Sequence, residues 1–222
     1  MTIPLQELRM LTKKCMQACI NSYEGEYGKI KKLFNDAKRF NKNGVNGFIA
    51  EDGHDLYIVF EGSDGTGDWI DNLKFWQKNV YKGVKVHAGF YYQFMQVETL
   101  INKAVVAKII LDSKARIIII GHSLGAALAT LTCLEVADYK PVCITFGSPR
   151  VGNWKFARLF NKKILHCYRY VNGDDVVCKV PYMWMNYKHV GKKVRIGKRK
   201  WYNYLFGSRE DHYPQKYLKN LK

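Results

Sequence analysis

The chain has 222 residues, 47% of them hydrophobic, and carries 36 Lys and Arg against 19 Asp and Glu, a formal net charge of +17. That length builds one domain with a full core and no need of staples, and no apolar run approaches the length that crosses a bilayer. So large a positive charge points to an anionic partner: a phospholipid surface, an acidic substrate or nucleic acid.

At the N-terminus Leu5, Leu8, Leu11, Cys15 and Ala18 recur at three- and four-residue steps, which predicts an amphipathic helix within a segment 1–40 packed on the domain. Glu7, Arg9, Lys13 and Lys14 interrupt Met1 to Ile20, which therefore lacks a signal peptide's apolar run. The expectation is a cytoplasmic protein, peripheral to a membrane if it meets one. Six cysteines make no C-x-x-C pair, so buried thiols are expected rather than a metal centre or disulfides.

Asn35 to Gly47 reads as a polar connection. Gly47 to Ala50 and Leu56 to Phe60 read as paired strands around Asp52-Gly53. The second runs into Glu61-Gly62-Ser63 and a glycine-rich stretch with Trp69, Ile70 and Leu73. Val84 to His87 forms a short strand, and apolar residues from Phe90 onward keep a helical period to Leu111.

Arg116-Ile117-Ile118-Ile119-Ile120 is β-branched and continuous, the pattern of a strand buried on both faces of a parallel sheet. Helix-forming small residues follow Gly125, and between strand and helix lies Gly121-His122-Ser123-Leu124-Gly125. A serine on so sharp a turn projects its Oγ from the carboxyl edge of the sheet, and the following helix aims its positive end there. Ser123 is the expected nucleophile. Further strands are expected at Val142 to Phe146, Ile164 to Val171 and His189 to Ile196, with helices from Trp154 to Phe160 and Tyr213 to Leu221. Strands and helices alternating in this way make a mostly parallel sheet with helices on both faces, in one domain spanning 1–222.

A serine at neutral pH needs a base, and the base needs an orienting carboxylate, in the chain order Ser, acid, His. His166 lies within a strand and His189 opens another, which leaves His212 between a loop and the last helix. Asp138 precedes the wrong strand, and Asp211 adjoins His212 too closely in sequence. Asp174 and Asp175 both stand at the carboxyl end of a strand, where sites form in such sheets. Periodicity does not choose between them.

Four ordered motifs resemble the class 3 lipase family. They are Val59-Phe60-Glu61-Gly62-Ser63 with Asp68-Trp69-Ile70-Asp71-Asn72-Leu73, then Val86-His87-Ala88-Gly89-Phe90, the serine motif itself, and Thr145-Phe146-Gly147-Ser148-Pro149-Arg150-Val151-Gly152-Asn153. A fifth, Arg169 to Val177 closing at Val180-Pro181, resembles the family's acid segment, in which the aspartate directly precedes two aliphatic residues. The resemblance thus implies an α/β-hydrolase fold, Asp175 as the acid, Ser63 as an oxyanion donor beside Leu124, and a short lid over 64–73. Trp69, Ile70, Leu73 and His122 are the residues expected to face the lid or the substrate. Glu61 stands where the family usually carries arginine.

Val176 to Arg209 contains no acid and nine Lys or Arg, interleaved with aromatics. This segment 176–209 is expected to lie at an anionic membrane surface, with Trp184, Lys198, Arg199, Lys200 and Trp201 in contact. No recognisable nucleic-acid motif accompanies the charge. The expected reaction is hydrolysis of a lipid ester, acylglycerol or phospholipid, through an acyl-enzyme without metal or cofactor. Hydrolysis of small soluble or phenolic esters is one alternative, and a basic membrane- or nucleic-acid-binding protein with a vestigial triad is another.

Overall fold

A computed structural model describes residues 3–23, 25, 27–63, 75–200 and 207–221. Seven strands form the central sheet: β1 (Asp36–Lys42), β2 (Val45–Asp52), β3 (Asp55–Phe60), β6 (Arg116–His122), β7 (Val142–Phe146), β8 (His166–Asn172) and β9 (Lys192–Ile196), in that spatial order. The first three pair antiparallel, and every pairing from β3 onward is parallel. A separate hairpin joins β4 (Gln77–Tyr81) to β5 (Val84–His87).

The isoleucine run shows why the sheet needs helices on both sides. Successive strand residues point to opposite faces. Ile117 and Ile119 enter one core with Phe90 and Val97 of α3 (Ala88–Leu111), Leu128 of α4 (Leu124–Glu135) and Phe156 of α5 (Trp154–Lys163). Ile118 and Ile120 enter the other with Cys15, Met16 and Cys19 of α1 (Leu5–Tyr23), Ile30 of α2 (Tyr27–Leu33) and Tyr217 of α6 (Pro214–Asn220). All four isoleucines are almost fully buried, as expected of a central parallel strand. The N-terminal helix forms as its periodicity predicts, although Leu5 stands exposed at its start.

The motifs around the sheet brace its loops. His87 caps α3 through Nδ1, which accepts from the Phe90 N–H at 3.3 Å, and its ring stacks on Phe90. Asn153 caps α5 in the same manner and also holds the β4–β5 hairpin, accepting from Lys85 N and donating to the Gly83 carbonyl. All six cysteines are buried free thiols.

Three expectations needed correction. The polar stretch Asn35 to Gly47 contains β1, an edge strand that buries only Ala37 and Phe40 among solvent-facing Lys, Arg and Asn. An edge strand needs little apolar surface, so its sequence resembles a loop. β4 was hidden in the same way, since its residues are half-buried at most. β9 begins at Lys192 rather than His189, whose Nε2 is instead committed to the Cys178 carbonyl at 2.8 Å. No helix among the described residues is long and apolar enough to cross a membrane.

Truncating Ile119 leaves a hole between the sheet and its helices. Ile119→Ala should lower the unfolding free energy by about 2–5 kcal/mol. Leu111→Ala, at an exposed helix end, should stay within about 0.5 kcal/mol. Urea unfolding of both variants checks the contrast.

Candidate active site

The turn between β6 and α4 places Ser123 at φ 58°, ψ −125°, a strained conformation for a residue with a side chain. Its N–H donates to the Phe146 carbonyl of the neighbouring strand at 3.0 Å, which fixes the turn to the sheet. Both flanking glycines are sterically required. A Cβ on Gly121 would run into the Gly125 carbonyl, and one on Gly125 would lie 2.5 Å from the Phe60 carbonyl oxygen. Strand and helix can pass this closely only without side chains there.

Asp175 and His212 meet across 37 residues. The His212 Nδ1–H donates to Asp175 Oδ2 at 2.8 Å, and both side chains are almost wholly buried. The same oxygen accepts from the Tyr217 hydroxyl at 2.5 Å, while Asp175 Oδ1 accepts from Val177 N at 2.8 Å. Burial opposes the charge, but His212 and the hydrogen bonds from His212 and Tyr217 outweigh it and hold the carboxyl below its ordinary value. Gly147, at φ +57°, packs against the pair: a Cβ there would meet the His212 ring at 2.7 Å and Asp175 Oδ2 at 2.9 Å.

Geometry separates the two candidate acids. Asp174 turns the other way, accepting from Arg199 Nε on Oδ1 and from Lys200 N on Oδ2, each at 2.7 Å. Asp211, adjacent to His212, spends a carboxylate oxygen on Asp174 N. The segment carrying His212 is tied down by a parallel bridge between Asp175 and Ser208.

Ser123 Oγ and His212 Nε2 are both enclosed, and neither has a partner among the described residues. Ser63 Oγ shares that condition. Ser63 and Leu124 line one cavity of about 150 Å³, together with Gly62, Glu61 and Leu128. Leu124 opens α4, and first-turn N–H groups lack intrahelical acceptors. Glu61 faces Arg39 at 4.0 Å, so here the loop beside Ser63 carries the acid and β1 the base.

His122 is not placed to meet a substrate. It is fully buried, and both ring nitrogens are used within the protein: Nδ1 with the Tyr23 hydroxyl at 2.9 Å and Nε2 with the His212 carbonyl at 2.8 Å. A carbonyl only accepts, so Nε2 carries the proton and the tyrosine donates to Nδ1. Burial, and secondarily the neighbouring His212, push His122 down to about 3. Its ring lies 4.5 Å from that of His212. Tyr23 also packs against Gly62, where a side chain would strike its hydroxyl.

Trp69, Ile70, Leu73 and the rest of the expected lid 64–73 lie outside the described residues, as does Trp201. Trp184 is exposed and stacks on Tyr182, with ring centroids 4.2 Å apart. Arg199 is engaged by Asp174 rather than turned wholly to solvent, and Lys200 donates its N–H to the same carboxylate. Tyr23 and Tyr217 are the partners that sequence reasoning missed. Each lies on a helix whose contact with the sheet edge no local pattern announces.

A buried Asp–His pair at the carboxyl end of β8, together with a serine on the strand-to-helix elbow that follows β6, is the plan of an α/β-hydrolase. The sequence profile described as Lipase (class 3) matches residues 57–185, and the chain belongs to that family. It is 32% identical over 154 residues to the secreted mono- and diacylglycerol lipase 1 of Fusarium solani, a match covering 67% of this chain and 46% of that protein. It is 31% identical over 150 residues to the chloroplastic phospholipase A(1) DAD1 of Arabidopsis thaliana, covering 57% of this chain and 34% of the other. The matches thus span less than half the length of these relatives. Among solved structures, the lipase of Rhizopus microsporus var. chinensis superposes with a TM-score of 0.82 at 25% identity, over 95% of this chain and 87% of that one. The Rhizomucor miehei triacylglyceride lipase gives 0.80 at 24% identity, over 95% and 94%. One relative's name describes a secreted protein, which lends the expected cytoplasmic placement no support.

His122 makes the fold sensitive to acid. Its ring stays neutral in the folded state down to about pH 3, whereas an unfolded histidine protonates near pH 6.5. Between those values the unfolded chain binds more protons, so stability falls as pH falls. His122→Gln should make the decline in Tm shallower over that window by up to about one proton's worth of slope. Thermal melts from pH 7 to pH 3.5 check it.

Proposed function

We propose that this chain hydrolyses carboxylic esters of lipids through an acyl-enzyme, with Ser123 as nucleophile, His212 as base and Asp175 as its orienting acid. The observation that carries this reading is the buried Asp175–His212 pair, which leaves His212 Nε2 enclosed and without a partner among the described residues. With Nδ1 carrying its proton toward Asp175, Nε2 is the lone-pair nitrogen and can take the serine proton. Ser123 Oγ attacks the ester carbonyl carbon while its proton passes to Nε2. The carbonyl oxygen becomes an oxyanion, met by the Leu124 N–H at the start of α4 and by the Ser63 hydroxyl. The intermediate collapses, the alcohol leaves with the proton from His212, and water repeats the sequence to release the carboxylic acid. Asp175 stays ionised throughout and stabilises the transient imidazolium.

The substrate class rests on the relatives, whose names describe mono- and diacylglycerol lipases and a phospholipase A(1). Exposed Trp76, Met183 and Trp184 support contact with a lipid surface, since Gln77 bonds to the carbonyls of Met185 and Asn186 and so joins the two segments. Aromatic and thioether side chains in such a patch seat at a membrane boundary, with Lys198 suited to anionic head groups. We read the described residues as one domain.

Hydrolysis of p-nitrophenyl esters from two to sixteen carbons tests the assignment, with and without anionic vesicles. Ser123→Ala should abolish turnover, and Ser63→Ala should lower kcat by about 10²-fold. Long-chain activity that rises with vesicles supports a lipase. Activity confined to short chains makes this a soluble esterase, and the absence of Ser123-dependent turnover defeats the enzyme reading.

A further inference from the structure

Behind the catalytic acid lies a second cavity of about 180 Å³, walled by the ends of β8 and β9 and by the residues around Asp174 to Lys179. Its lining holds six cationic side chains, Arg150, Arg169, Lys179, Lys193, Arg195 and Arg199, against two carboxylates, Asp174 and Asp175. Both carboxylates are already committed, Asp174 to Arg199 and Lys200, Asp175 to His212 and Tyr217. None of Arg150, Arg169, Lys193 or Arg195 forms an ion pair among the described residues.

Arg169 stands out within this group. It lies on β8, one strand in from the sheet edge, and is only 6% exposed, yet among the described residues its side chain makes one hydrogen bond, from Nε to the Val190 carbonyl at 3.2 Å. Arg150 spends NH1 on the carbonyls of Lys179 and Pro181. A buried guanidinium without a counter-charge is costly, and native interiors pair such groups. His189 lines the same cavity and adds an independent sign. Its Nε2–H donates to the Cys178 carbonyl, while its buried Nδ1 has no partner among the described residues. The surroundings thus offer several cationic donors and one neutral acceptor.

We propose that this cavity binds a phosphate-class oxyanion, either inorganic phosphate or a phosphomonoester, at a position separate from the ester-cleaving serine. A tetrahedral phosphate matches the donor set: guanidinium forks and ammonium groups meet its oxygens. Inorganic phosphate near neutral pH retains a proton that it can donate to His189 Nδ1, and a phosphomonoester, whose second pKa is about 6, does so as its monoanion. The volume equals that of about six waters in the liquid, room for a phosphate and a short organic substituent. Burial and the mutual repulsion of Arg150 and Arg169 hold the Arg150 guanidinium below its usual value, the electrostatic strain that an anion relieves. The occupant presses on the loop that presents Asp175, so its binding bears on the stability of the triad's acid.

The test uses the full chain carrying Ser123→Ala, so that ester hydrolysis does not enter the measurement. Thermal melts are run against inorganic phosphate and against chloride at matched ionic strength. Phosphate should raise Tm saturably where chloride does not. The double variant Lys193→Gln/Arg195→Gln, on the exposed edge strand, should fold normally by circular dichroism and weaken apparent phosphate affinity by about tenfold or more. Arg169→Gln, inside the wall, should remove the response altogether. A second arm measures sedimentation with phosphatidylcholine vesicles containing phosphatidic acid, whose head group is a phosphomonoester. Loss of that binding in the double variant identifies a lipid head group as the source, while unchanged vesicle binding with weakened phosphate binding identifies a soluble phosphate. Equal Tm in phosphate and chloride, or undiminished phosphate affinity in the folded double variant, overturns the proposal.

Discussion

One buried carboxylate holds the candidate site together. Asp175 is enclosed at the end of β8 and accepts three hydrogen bonds, from Val177 N, His212 Nδ1 and the Tyr217 hydroxyl. A carboxylate in such a place is tolerable only when its lone pairs are met. Two of the three donors arrive from the last eleven residues of the chain. The C-terminal segment is therefore anchored by its bonds to a charge as well as by the packing of Tyr217 on the sheet. Removing any one donor would leave the charge buried and short of a partner, which is more damaging than the loss of one contact in water.

A second, quieter link runs behind that pair. Tyr23 at the end of α1 bonds to His122, and His122 bonds to the backbone of His212. The residue before the serine thus grips the residue proposed as its base, and the N-terminal helix grips that residue in turn. Elements from the start, middle and end of the sequence share one hydrogen-bonded chain. The short path explains how groups 89 residues apart in sequence are kept in register without a covalent tie.

The parallel core was legible because its strands are buried on both faces, so Ile117 to Ile120 has no polar position and Val142 to Phe146 has only Thr145 to interrupt the pattern. The elbow was legible because two glycines at fixed spacing answer a steric demand that few other folds make. Edge elements were not: β1 and β4 expose most of their side chains, and polarity there is compatible with a loop. The choice between Asp174 and Asp175 lay beyond periodicity, since both follow the same strand. It is decided by which one turns inward, and resemblance alone pointed that way beforehand. Tyr217 and Tyr23 were invisible for a different reason. Their importance arises from tertiary hydrogen bonds that leave no trace in spacing. The basic stretch after Val176 was read as a single surface, whereas the fold gathers four of its cations, Lys179, Lys193, Arg195 and Arg199, around one cavity.

The cysteines carry a consequence of their own. All six are buried free thiols, five within the two layers of core and Cys178 at the wall of the basic cavity, and burial pushes Cys15, Cys19, Cys133 and Cys178 above the ordinary thiol value. Cys143 is raised by its contact with Cys133 and Cys167 by its contact with Cys143, burial adding to both. Thiols kept protonated and out of reach are poor nucleophiles and slow to oxidise. No cross-link among the described residues has to form for the sheet to close, and none has to be protected from reductants. The fold as described therefore closes without an oxidising medium.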